Sequence, residues 1–121
     1  AFLEKALALY GQFDSFWRRP TLNSYLALTL VENRNLPAAR RHLLAAQKYM
    51  WQMKNPSDQG SVFFSQALIR TLADREPDVG RFFDEILPDS ALDYGRLALK
   101  HLSRWLDRPE INSLRRLFPE L

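Results

Sequence analysis

The chain is 121 residues long, with seventeen basic and fourteen acidic side chains, a net charge of +3 and no cysteine. That length suits one domain with its own core, and hydrophobic and charged fractions of 46% and 26% exclude wholesale disorder. Without cysteine there is no disulfide framework, thiolate nucleophile or Cys-based metal site, and the compartment tilts only mildly to a reducing cytoplasm.

The apolar residues recur at helical spacing along nearly the whole chain, and no stretch alternates as a half-buried strand does. A leading helix is expected over 1–17, striped by Phe2, Ala6, Leu9, Phe13 and Phe16, with Pro20 breaking the chain after it. Thr21 to Asn33 follows, apolar on most faces and so suited to a place between other helices. Asn33-Arg34-Asn35 makes a tight connection to a third helix over 36–53, striped by Leu36, Ala39, Leu43, Ala46, Met50 and Met53. Asn55 to Gly60 is the most loop-like segment. Val62 to Ala73 reads as a helix, and Pro77 opens another that Pro88 stops. Ser90 with Asp93 resembles a capping box for the next, and Asp107 with Glu110 repeats the arrangement before a last helix ended by Pro119. The expected fold is all-α, about seven helices in antiparallel hairpins, as a short solenoid or a compact α–α bundle.

Excluding the leading helix, the pairs begin near Thr21, Asp58 and Ser90, a spacing close to that of helical-hairpin repeats. The expected organisation is one helical domain over 1–121, with hairpins at 21–54, 58–87 and 90–118. A start at Ala1 without an initiator Met reads as a piece of a longer protein. The charge is unevenly spread: 1–54 carries +5, 74–93 carries −5 and 94–121 carries +3. Such a surface speaks to association and orientation rather than to fold.

The hairpin from Thr21 to Trp51 resembles a tetratricopeptide repeat. Leu26-Ala27 and Leu30 fall on its first helix, Asn35-Leu36 at the turn, and Ala39, Leu43 and Ala46 on its second. Ala27 and Ala39 leave room for close approach, while Leu30 and Leu43 fill the seam. The resemblance implies a non-enzymatic protein–protein interaction module that binds a protein or peptide segment along an apolar groove. Bacterial secretion chaperones, adaptors, assembly scaffolds and sensor domains use such modules. The expected contacts are Tyr25, Leu28, Val31 and Glu32 on the first repeat, with Phe63, Gln66 and Arg70 on the second. The groove-facing positions of the first helix carry no cation, which argues against a clamp for an acidic C-terminus.

The alternative from another class is a nucleic-acid face. Arg40, Arg41, Lys48, Arg104, Arg108, Arg115 and Arg116, interleaved with Trp17, Trp51 and Trp105, would supply phosphate contacts and stacking. A third reading pairs two copies of the chain as a homodimer. No catalytic, cofactor or metal site is expected: His42 and His101 lack a partner at i+3 or i+4 for a helical metal pair, and the acids around Pro77 are explained by the positive helix end. No apolar run approaches the ~18 residues of a membrane span, so no membrane insertion is expected.

Overall fold

Local capping signals and the helical spacing of apolar residues fold the chain into helices. The computed structural model describes residues 19–50, 55–105 and 107–121. Among them are six helices and no strand: α1 (Arg19–Glu32), α2 (Leu36–Tyr49), α3 (Pro56–Arg75), α4 (Pro77–Phe83), α5 (Ala91–Leu102) and α6 (Pro109–Leu117). The described residues thus hold six helices rather than seven. The expected leading helix at 1–17 lies outside them, as do Trp17, Trp51 and the end of the third stripe at Met53.

Several boundaries differ from expectation, each for a local reason. Pro20 does not break the chain before Thr21 but sits in the first turn of α1, where the missing N–H is harmless. The loop expected at Asn55–Gly60 is the start of α3. Asn55 is its N-cap and accepts a hydrogen bond from the Ser57 N–H at 2.9 Å, with Pro56 next and Asp58 in the first turn. Residues that favour loops are also those that begin helices. The α5 start behaves as expected, Ser90 Oγ accepting from the Asp93 N–H at 3.1 Å. The repeat of that arrangement at Asp107 does not form: Arg108 is the α6 N-cap, and it has no side-chain cap. Helix α4 ends at Phe83, and a turn occupies 84–86.

Helices α1 and α2 form an antiparallel hairpin. At their junction the Asn35 N–H reaches the Leu30 carbonyl at 2.8 Å and the Arg34 N–H the Val31 carbonyl at 3.0 Å, with Arg34 at φ 62°. This is a Schellman cap with arginine in the place that glycine usually holds. Ala27, Ala39, Leu43 and Ala46 are buried along the seam, so the small residues do bring the two helices close.

The remaining pairing departs from three consecutive hairpins. Helix α3 takes α5, not α4, as its main neighbour, and it also packs on α1. The two run antiparallel: Gly60 near the start of α3 lies against Leu102 and His101 at the end of α5, while Arg70 near its end donates to the Leu87 carbonyl just before α5 begins, at 3.3 Å. A Cβ at Gly60 would stand 2.6 Å from Leu102 Cγ, so glycine sets the depth of this contact. Seven-residue α4 lies between the two in sequence and packs on α3 and α2, and α6 folds back so that the Phe118 ring covers Gly95. One continuous apolar core runs through all six helices, including Val31, Leu43, Ile69, Phe83, Leu102 and Leu114.

Candidate interaction surface

Helix α3 is buried on most of its circumference, and two of its buried serines bond to carbonyls of the same helix. Ser61 Oγ donates to the Ser57 carbonyl at 3.1 Å, and Ser65 Oγ to the Ser61 carbonyl at 3.2 Å. This burial decides the fate of the expected groove. Val31 is 1% exposed and Gln66 3%, so neither presents a side chain to a ligand. Phe63 stacks on the His101 ring of α5, centroids 5.5 Å apart. Tyr25 is half-buried and donates from its hydroxyl to Glu110 Oε1 of α6 at 3.1 Å. Leu28 is half-buried against the core, and Glu32 is exposed at the end of α1.

Arg70 is committed as well. It donates to Asp74 Oδ1 at 2.6 Å and to Asp84 Oδ1 at 3.0 Å. Burial works against its charge, but the hydrogen bonds to Asp74 and Asp84 outweigh that and hold its pKa above the usual guanidinium value. The groove read along α1 and α3 is therefore filled where α5 and α6 pack. A helix face apolar enough to take a ligand is also apolar enough to take the chain's own next helix.

The polar junction between α1, α3 and α6 is tight. Glu110 accepts from Tyr25 and lies 3.8 Å from Arg108. The Tyr25 phenol is pushed up, chiefly by burial; a hydrogen bond with Ser61 acts the other way. The second Glu110 oxygen and the hydroxyls of Thr21, Ser24 and Ser57 are buried without a hydrogen-bond partner among the described residues. Of the two histidines, His42 Nδ1 lies 3.0 Å from Asn23 Oδ1. His101 is held below the usual imidazole value by burial, and then by Lys100 and Arg104. Both are explained by packing.

The seven residues proposed for a nucleic-acid face are split. On α2, Arg40 lies 3.8 Å from Glu85, Lys48 sits over the Tyr49 ring at 5.4 Å, and Arg41 is exposed. Arg115 and Arg116 are exposed in the last turn of α6, where cations complement the helix end. Arg104 and Arg108 gather around a tryptophan. They and Asp107 line a depression of about 400 Å³ with Trp105, which is 48% exposed. The Arg108 guanidinium stands 6.0 Å from the indole centroid, within cation–π range.

A second depression, of about 440 Å³, lies where α3 ends and α5 begins. Leu87 and Pro88 line it together with Arg70, Asp74, Asp84 and Asp89. Sequence reasoning did not single it out, although the −5 stretch at 74–93 was its signal. Trp105 had entered only as one of three tryptophans among arginines. The sharper signal is its place three residues beyond Leu102, where α5 ends, between Arg104 and Arg108. No family model, curated protein or solved structure matches this chain.

Proposed function

We propose that this chain is a non-enzymatic protein–protein interaction module, of scaffold or adaptor type, whose first hairpin is tetratricopeptide-like. One observation carries the reading: Trp105 is large, apolar and half in solvent between two arginines, and among the described residues it is more exposed than Leu44 and Leu117, the other large apolar side chains at the surface. Tryptophan and arginine dominate interface hot spots because one removes a large area from water and the other pairs bidentately. Docking is assigned to this surface, and the partner segment would carry acidic residues beside an apolar one. Of the earlier groove contacts, Tyr25, Phe63, Gln66 and Arg70 serve internal packing in this reading, and Val31 belongs to the core.

The test is capture of a protein partner by the wild type and by Trp105→Ala. Loss of capture with an unchanged circular dichroism spectrum supports the module. Equal capture by the folded variant removes Trp105 from the interface. A second reading, single-stranded nucleic acid stacking on Trp105, is favoured by the same aromatic–arginine grouping. Oligonucleotide binding would weaken steeply with salt, and a Trp105-dependent, salt-sensitive fluorescence change would select it.

A further inference from the structure

Two surfaces of this chain suit one another yet sit at opposite ends of α5. Beyond its C-terminal end stands the Trp105 indole, with Arg104 and Arg108 beside it. At its N-terminal end is the depression of about 440 Å³ where Pro88 offers apolar surface among Asp74, Asp84 and Asp89, with the Leu87 side chain buried in the core beneath. Arg70 offsets one of these three carboxylates, which leaves the depression negative. The Asp84 carboxylate remains 63% exposed and that of Asp74 50%. The twelve residues of α5 separate the two surfaces by roughly 18 Å at the usual helical rise. Within one molecule they cannot touch.

We propose that copies of this chain associate head to tail. Trp105 of one copy seats against Pro88 of the next, and Arg104 and Arg108 face Asp84 and Asp89. Charge complementarity selects a second copy as the occupant, since 74–93 is strongly acidic and 94–121 basic. The inference rests on the reading of Trp105 as a protein-docking anchor and names its partner. Such a contact is heterologous, so it extends into open chains unless rotation closes a ring. Both depressions are small, which places the interface at the low end of the size range, with weak and salt-sensitive association.

Sedimentation velocity across a wide protein concentration range tests this. The wild type should pass from monomer to a ladder of oligomers, shifted back toward monomer by added salt. Trp105→Ala removes the knob and Asp89→Lys reverses the socket, so each alone should weaken self-association about 30-fold, the effect of losing a hot spot. Arg104→Glu is a second knob variant should Trp105→Ala fail to fold. Mixed in equal amounts, Trp105→Ala and Asp89→Lys retain one intact socket and one intact knob between them. They should form 1:1 dimers that do not grow. A wild type monomeric at every concentration, or single variants that associate as the wild type does, overturns the proposal. A monomeric wild type whose capture of another protein still requires Trp105 overturns self-association alone and leaves the interaction module standing.

Discussion

The α1–α2 hairpin and the α3–α5 pair are both antiparallel, closely packed and centred on small residues, but they are assembled differently. The first closes through three residues, with Arg34 in a left-handed cap and Ala27 against the seam. The second reaches across α4 and a further turn, and its approach is deep enough that Gly60 has no room for a Cβ. A short connection makes the first pairing a local matter, because little loop entropy opposes it. The second is won against the alternative of pairing α3 with α4. Seven-residue α4 offers too little surface, and α5 offers Ala98 and Leu102 over a longer face.

The largest expected effect comes from removing the deepest contact on the non-local side. Leu102→Ala should lower unfolding stability by about 2–5 kcal/mol, the range for a fully buried leucine, measured by urea denaturation. Leu43→Ala on α2 should fall in the same range, as both leucines are fully buried. A loss under 1 kcal/mol at Leu102 alone, set against that range, would mean that α5 is a weak partner and break the comparison.

Gly60→Ala sharpens it. Alanine is the better helix former by about 1 kcal/mol, yet its Cβ would press on Leu102 Cγ and on His101 Cβ, the latter at 3.2 Å. Overpacking of this kind costs about 1–3 kcal/mol, so the variant should be net destabilised, by the same denaturation measurement. A stabilised Gly60→Ala would show that α3 and α5 stand farther apart than the α1–α2 seam.

The smallest effect is a pH dependence. His101 stacks on Phe63 at this same contact, and burial, then Lys100 and Arg104, depress its pKa. The folded state favours the neutral ring, so it binds fewer protons than the unfolded chain. Its contribution is therefore present above about pH 6.5, the ordinary imidazole value, and is lost as pH falls through that value toward the lower folded one. His101→Gln should flatten the dependence of melting temperature on pH in that window. An unchanged slope would assign it to another group.

Much of the helical layout was legible in the residues. Caps and turns act over four or five positions, so Ser90 and the Asn33–Asn35 turn were read correctly and Asn55 was misread only in sign, as loop rather than cap. The groove was not legible. Leu28, Val31, Phe63 and Gln66 share spacings that suit either a ligand or a neighbouring helix, and nothing local distinguishes the two. Asp74, four residues after Arg70 on the same helix, was a legible partner, but Asp84 and the Leu87 carbonyl come from beyond an intervening helix.

By itself the sequence determined the all-α character, most helix starts, the close α1–α2 seam and the alternation of charge from +5 to −5 to +3. Each follows from interactions within a turn or two of helix or from simple counting. The packing of distant helices settled that α5 lies along α3, that Val31 and Gln66 are buried while Tyr25, Phe63 and Arg70 are engaged within the fold, and that Trp105 stands out between Arg104 and Arg108. The physical reason is range. Periodicity fixes which face of a helix is apolar, but which distant helix covers that face depends on the length and depth of every competing surface.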